Sequence, residues 1–308
     1  MLNNKNFIVI RMFGGLGNQL FQYSFGRSLA LSQNKKLILD LSFYKNSLID
    51  YSSNMVMYKS AYRLKNFNLP DDIILTKNCY NYSYRLFKYI INYLPNFVKK
   101  KFFFTKKFKI KNFYFEKNLF KIDNIKKNLN KQSCYYIGYW QSTKYFKKFE
   151  KIIKSELKLM NLSSSAKKFI KKIDKNLAAI HIRGGDALID CNTVTPERKF
   201  YNKKNKLIKK KNNNIKFHIF TDDVEYSKKI IFSSNIKNFK IISTSKKFTD
   251  LEEFHILQNY KFVIISNSTF SWWAAYLNNI KASKIYAPKI WYNQAFPKEL
   301  KIKNMSLI

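Results

Sequence analysis

The chain is poor in the residues that bend or bridge a backbone. Its 308 residues include 7 Gly, 5 Pro and 3 Cys. The cysteines, Cys79, Cys134 and Cys191, are widely spaced, with no CxxC and no paired Cys/His spacing. That argues against a disulfide framework and against a zinc site, and it fits a reducing compartment. Acidic residues are also scarce: 19 Asp+Glu stand against 58 Lys+Arg, a formal charge of +39. A glycoside hydrolase needs paired carboxylates across a cleft, so this scarcity counts against one. No apolar run reaches the length of a membrane-spanning helix. The opening MLNNKNFIVIRMFGG has no cleavage-site pattern and reads as a strand entering a glycine turn, not as a signal peptide. The expected location is cytoplasmic.

Arginine is rare among the basic residues. The arginines are Arg11, Arg27, Arg63, Arg85, Arg183 and Arg198, and the other cations are lysines. Lysines spread along most of the chain are what AT-rich coding produces, and they solvate a surface. The same field attracts anions: nucleic acid, acidic lipid or phosphorylated substrates. Where lysine is the default cation, a retained arginine marks a place that needs the planar guanidinium fork. The densest basic–aromatic stretch, Tyr80 to Lys117, is the candidate for contact with nucleic acid or with an anionic membrane surface.

An apolar fraction of 46% and an aromatic fraction of 17% supply a core for one large or two medium domains. A strand over Phe7–Phe13, a helix over Gly17–Leu31 and a strand over Lys36–Leu41 open the chain as β-α-β. Helical spacing covers Lys144–Met160. The second half alternates. Strands are expected at Asn176–Arg183, Ile215–Thr221, Phe239–Thr244, Lys261–Ile265 and Lys284–Ala287. Helices are expected at Glu197–Lys210, Val224–Ser233, Asp250–Asn259 and Thr269–Asn279. Such alternation implies parallel sheets with right-handed crossovers. The Lys/Ser-rich stretch 161–175 reads as the boundary between two Rossmann-like halves, 1–160 and 161–308. Ligands of such sheets bind outside the carboxyl ends of the strands.

Five of the seven glycines fall in two loops that follow expected strands: Gly14, Gly15 and Gly17 in FGGLGNQLFQ, and Gly184 and Gly185 in HIRGGD. The first loop is neither a Walker A loop nor a GxGxxG. Its Asn18 and Gln19 carry neutral donors and acceptors suited to hydroxyls, and an ordinary tight turn explains it equally well. In the second loop His181 and Arg183 share strand parity, and Arg183 can clamp a pyrophosphate. A core histidine and an Arg183–Asp186 ion pair are the plainer readings. In FTDD, Asp222 and Asp223 can bind a base or ribose, or cap the next helix. In ISNSTFSWWAAYLN, Asn267, Ser268 and Thr269 stand where a helix start can hold an anion, and Trp272 and Trp273 suit packing between domains. No D-x-D occurs, so charge on a leaving diphosphate would be met by Arg183 and helix N-termini instead of a metal.

In this order FGGLGNQLFQYSFGRSLA, IGYWQSTKYF, HIRGGD, FTDD and ISNSTFSWWAAYLN resemble the bacterial α-1,2-fucosyltransferases, glycosyltransferase family 11, over about residues 7–292. The resemblance implies a GT-B-like α/β fold, with two Rossmann-like domains whose parallel sheets face a central cleft. It implies GDP-fucose as donor, inversion at the anomeric carbon, no metal, and a galactose-type acceptor in an oligosaccharide or lipid-linked surface glycan. The N-terminal half would hold the acceptor and the C-terminal half the donor. By this likeness Arg183, His181 and Asp186 are the catalytic candidates. Gly184, Gly185, Asp222, Asp223, Asn267, Ser268 and Thr269 would bind the donor, and Gly15, Gly17, Asn18 and Gln19 a sugar. The family pattern H-x-R-R-x-D is matched at His181, Arg183 and Asp186, but Gly184 stands at the second Arg. That departure makes a different nucleotide sugar the alternative donor, with Arg198 and Lys199 as substitute cations. Nucleic-acid binding is the remote alternative.

Overall fold

The computed structural model describes residues 7–44, 61–77, 112–117, 120, 133–189, 195–196, 198–209, 214–243 and 247–308. Contacts divide the chain into two units, Met1–Lys158 and Leu159–Ile308. The α/β class with parallel sheets is what the sequence alternation implied.

The first unit is built on strands β1 (Phe7–Arg11), β2 (Lys36–Asp40), β3 (Ile74–Thr76), β4 (Asn112–Phe115) and β5 (Cys134–Ile137). They form one sheet in the order β3-β2-β1-β5-β4, every pairing parallel. A parallel sheet is covered on both faces, so its strands read as continuous apolar runs. FIVIR of β1 is buried throughout. Helix α1 (Leu16–Gln33) lies on this sheet through residues such as Leu20, Phe21 and Phe25. It ends at Asn34, whose left-handed φ of 51° turns its amide back onto Ala30 O and Leu31 O. Helix α2 (Glu150–Glu156) is pinned to α1 by a buried carboxylate. Glu156 accepts from Tyr23 Oη at 2.6 Å and from Arg27 Nε at 2.9 Å. That network accounts for one of the retained arginines.

The second unit opens with α3 (Ser164–Lys171) and β6 (Leu177–Ile182). It continues with α4 (Arg198–Lys209), β7 (Lys216–Thr221), α5 (Val224–Ser233), β8 (Phe239–Ile241), α6 (Asp250–Leu257) and β9 (Phe262–Ile264). Helix α7 (Thr269–Tyr276), β10 (Lys284–Ala287), a small hairpin of β11 (Ile290–Trp291) and β12 (Gln294–Ala295), and β13 (Met305–Leu307) complete it. The sheet order is β13-β10-β9-β6-β7-β8, all parallel. Counted from β6, this is the doubly wound 3-2-1-4-5-6 order of mononucleotide-binding halves. Ile180, Ile182, Phe217, Ile219, Ile231 and Ile264 are central to its core.

Several elements differ from the sequence reading. Lys144–Met160 is not one helix but two 3₁₀ turns, Thr143–Tyr145 and Lys147–Phe149, followed by α2. The stretch 161–175 follows the division between the units at Lys158/Leu159. It holds α3, capped by Ser163 Oγ on Ala166 N at 3.1 Å. From it Phe169 packs on His218 and Phe248 of the same unit. Strands β3, β4, β5 and β13 had no counterpart in the sequence reading. Of Tyr80–Lys117 only residues 112–117 are described. Cys79, Arg85 and Cys191 lie outside the described residues, and Cys134 is buried in β5. Among the described residues, no helix is long and apolar enough to cross a membrane.

Candidate functional site

In the second sheet the connections leave β6 and β9 in opposite directions, so a crevice opens at their carboxyl ends. HIRGGD emerges from β6 and ISNST from β9. A hydrogen bond spans the gap: His181 Nδ1 lies 2.7 Å from Ser266 Oγ. The His181 ring stacks on Phe270 with centroids 5.5 Å apart and is only 4% exposed. Burial pushes its pKa down to about 4, with Asp222 pulling it up and Arg183 pushing it down. The imidazole is therefore neutral at physiological pH, a hydrogen-bonding group and not a fixed charge.

Arg183 leaves the same strand end and its guanidinium pairs with the Asp222 carboxylate. Asp222 also accepts from Gly184 N at 2.8 Å. Parallel pairing of β6 with β7 brings the two strand ends together and so sets Asp222 beside Arg183. Asp186 itself sits in the 3₁₀ turn Gly185–Leu188. Arg183 and Asp222 side chains are each 30% exposed, so the guanidinium still faces solvent and any anion within it. Asp223 is the N-cap of α5, with Oδ1 accepting from Tyr226 N at 3.0 Å. Of the two aspartates, one holds the arginine and one starts the helix.

Gly184 is a packing requirement. A Cβ built there would lie 2.6 Å from Asp223 Cβ and 3.1 Å from Tyr226 Cδ1. Gly185 has a left-handed φ of +51°. The loop thus lies close against the start of α5 in a way that an arginine side chain would obstruct. Arg198 and Lys199, the expected substitutes, open α4 and are exposed.

From β9, Ser266 is buried, Asn267 nearly so, and Ser268 and Thr269 are partly exposed. Ser268 is the N-cap of α7 but makes no capping bond with its side chain, and the first turn holds no acidic residue. The positive end of the helix is left uncompensated by its own cap. Trp272 and Trp273 are fully buried. Trp272 Nε1 donates to Leu300 O at 2.7 Å and its ring stacks on Tyr276, so it serves the core of its own unit.

One residue escaped the sequence reading. Glu253, on α6, accepts from Ser243 Oγ at 2.7 Å, and that hydroxyl oxygen accepts from Thr221 N at 3.0 Å. Burial raises the Glu253 carboxyl to about 7, a value suited to proton exchange near neutrality. A third acid beside Asp250 and Glu252 in one helical turn, in a chain with few acids, was the available signal.

The glycine loop of the first unit leaves β1 toward α1. Gly14 has a φ of +75°, and the exposed Gly15 is the helix N-cap. Gly17 is buried within the first turn. Gln19 is fully buried and engaged: Nε2 donates to Gly14 O and Ala61 O, each at 2.9 Å, and Oε1 accepts from Arg63 N at 2.9 Å. Its amide builds the loop. Asn18, partly exposed, accepts through Oδ1 from Gln141 Nε2 at 3.1 Å. Among the described residues no group of three or more His, Cys, Asp or Glu is arranged to hold a metal ion.

The chain is 28% identical over 298 residues to an α-1,2-colitosyltransferase of Escherichia coli, covering 93% of each. It is 25% identical over 293 residues to the O-antigen biosynthesis glycosyltransferase WbnK of Escherichia coli, covering 91% of this chain and 93% of that one. Among solved structures it is similar to NodZ α-1,6-fucosyltransferase co-crystallized with GDP (14% identity, 89% of this chain, 92% of that one, TM-score 0.47). It is also similar to POFUT1 in complex with GDP (11% identity, 93% and 99%, TM-score 0.48). The glycosyl transferase family 11 model matches residues 7–306, and with that extent of match the chain belongs to glycosyl transferase family 11.

Proposed function

We propose that this glycosyltransferase moves fucose from GDP-fucose to a hydroxyl of a galactose-type residue, forming an α-1,2 linkage in a growing surface polysaccharide such as an O-antigen. The observation that carries this reading is the convergence at the β6/β9 switch point of a carboxylate-held guanidinium, a neutral histidine and a helix start uncapped by its own serine. That set binds a diphosphate and stabilises charge building on it. In the reaction the acceptor oxygen forms a bond to C1 as the C1–O bond to GDP breaks. The hydroxyl proton goes to a base, and GDP leaves with the bonding electrons, so the anomeric centre inverts.

In this scheme Arg183 binds the departing diphosphate, helped by Ser268, Thr269 and the amides around them. His181 orients phosphate or sugar, and Asn267 and Gly185 shape the pocket. Asp222 acts through Arg183, and Asp223 through the loop–helix packing that Gly184 permits. Glu253, linked through Ser243 to Thr221 at the end of β7, is proposed to read the nucleoside. Asp186 is the candidate base. The first unit takes the acceptor through Asn18 and the backbone of Gly15 and Gly17, with Gln19 as scaffold. No metal is needed. The enzyme works in the cytoplasm on a lipid-linked or oligosaccharide acceptor and binds no specific nucleic acid.

A second reading of the donor follows from Gly184 and from the relative named a colitosyltransferase: the transferred sugar is colitose. One experiment addresses both. EDTA-treated protein is given GDP-fucose, GDP-colitose, GDP-mannose and UDP-sugars with a galactose-terminated acceptor, and products are read by mass spectrometry. Transfer from GDP-fucose is expected, falling by about 10²–10³ in Arg183→Ala and also falling in Arg183→Lys, which keeps the charge but not the fork. Near wild-type rates in both folded variants would overturn the assignment of Arg183. Activity that requires added Mn²⁺ would overturn metal independence.

The charge of +39 supports peripheral binding to the anionic inner face of a membrane. The protein should sediment with phosphatidylglycerol vesicles and not with phosphatidylcholine vesicles, and should be released as salt rises from ~0.05 to ~0.5 M. Equal sedimentation with both sinks that reading.

A further inference from the structure

In the first sheet, of order β3-β2-β1-β5-β4, β1 and β5 are parallel neighbours, so their carboxyl ends and the loops that leave them lie side by side. Two loops meet there. The loop after β1 brings Phe13, Gly14, Gly15 and Asn18, and the loop after β5 brings Tyr139 and Gln141. They are joined by the Asn18–Gln141 amide bond of 3.1 Å and by the Phe13–Tyr139 ring contact, with centroids 4.8 Å apart.

The second loop is held in an uncommon conformation. Trp140 has a φ of +56°, a region that a bulky residue rarely occupies. The Glu116 carboxylate fixes it by accepting from Tyr139 N at 2.7 Å and Trp140 N at 3.1 Å, while Trp140 stacks on Phe25 at 4.1 Å. Strain of this kind persists where the surroundings over-determine it, and it concentrates at ligand sites. Gln141 is 1% exposed, and among the described residues its Oε1 has no hydrogen-bond partner. A buried amide oxygen left so is costly unless a ligand or water completes it. Tyr139 is partly exposed, and a Cβ built on Gly15 meets nothing within 4 Å. The side chains that join the two loops, Asn18 and Gln141, are neutral amides, and both oxygens of Glu116 accept from backbone N–H groups.

We infer that the two loops form a subsite for a neutral pyranose ring, with the Tyr139 ring against one face of the sugar and the Asn18 and Gln141 amides on its hydroxyls. Amides supply both donors and acceptors for hydroxyls, and a partly exposed tyrosine supplies an apolar face with a polar tip. The sugar is the acceptor unit, which rests on the reading given under Proposed function. Phe13, Tyr139 and Gln141 thereby join Asn18 in setting acceptor specificity.

The test uses the full chain and methyl β-galactoside as probe, followed by saturation-transfer NMR, with GDP binding followed in parallel by calorimetry. Wild type should bind the galactoside. Tyr139→Ala and Gln141→Leu should each weaken that binding at least tenfold and raise the acceptor KM to match, with kcat and GDP affinity changed less than twofold. Tyr139→Phe should keep most of the binding. If Gln141→Leu does not fold, the partly exposed Tyr139 carries the test alone. Absence of any galactoside signal in wild type, or variants that bind it as tightly as wild type, overturns the subsite. Galactoside binding without GDP binding or sugar transfer leaves the subsite standing and sinks the donor reading. GDP binding and transfer with unaltered acceptor KM in the variants does the reverse.

Discussion

A methyl group at position 184 would stand 2.6 Å from the Asp223 Cβ, well inside van der Waals contact, and beside the Tyr226 ring. Neither neighbour is the loose end of a flexible side chain, since one is a helix cap and the other is in the first turn of α5. Overpacking of this sort costs roughly 1–3 kcal/mol. Gly184→Ala should therefore lower stability by about that amount in urea denaturation. Gly184→Arg, which restores the residue expected from the family pattern, should lower both stability and GDP affinity. A Gly184→Arg protein that is stable and binds GDP more tightly than wild type would show that the loop can open to admit the side chain. The sequence made the missing arginine visible. Its cause was not visible, because the contact is made with residues 39 and 42 positions further on.

Helix starts were the most legible elements. Asp223 before an apolar run reads as a cap, and it is one. Thr249 and Glu252 form a capping box at the head of α6, a spacing visible in TDLE. The same Glu252 also accepts from Ser163 N at 3.0 Å, so it ties the start of α3 to the start of α6, which no local pattern announces. Asp223→Ala is expected to cost about 1 kcal/mol, within a range of about 0.5–2, and Asp223→Ser to recover most of it. Equal stability of wild type and Asp223→Ala in thermal and urea unfolding would refute the cap assignment. Short strands were the least legible elements. Strands β3 and β13 have only three residues each, too few to show a period. Strand β5 is central to its sheet, yet CYYI becomes a strand only because β1 and β4 lie on either side of it.

For the whole molecule, the buried histidines set an acid limit. His181 and His218 are both held down to about 4, in each case chiefly by burial. His218 makes a 2.6 Å hydrogen bond with Tyr260 Oη. In the unfolded chain a histidine titrates near 6.5, so between about 6.5 and 4 the unfolded state binds more protons than the folded one. Folding stability is then full above about 6.5 and declines as pH falls toward 4, by about 1.4 kcal/mol per pH unit for each proton of difference. Glu253 works in the opposite sense. With its carboxyl raised to about 7, the folded state holds a proton that the unfolded state has released, so its contribution is present below about 4.5 and is lost as pH rises toward 7. His218→Asn, which keeps a hydrogen-bonding atom toward Tyr260, should flatten the acid side of the profile. The check is chemical denaturation of both proteins at pH values from 7 to 4; parallel curves would mean that His218 is not a source of the acid loss.

The sequence alone determined the class of the molecule: periodic apolar runs alternating with helical ones dictate parallel sheets, and glycines in so few places mark the loops where backbone must turn sharply. It also carried the family, because HIRGGD, FTDD and ISNST are local strings. Tertiary structure decided which of those residues act together. The sheet order put β9 beside β6 and thereby Ser266 against His181. The pairing of β7 with β6 gave Arg183 a partner in Asp222. The folding of the first sheet set Gln141 on Asn18. Each of these contacts joins residues far apart in the chain, and strand pairing is fixed by which apolar faces can be buried together, a property of the assembled sheet that no single segment encodes.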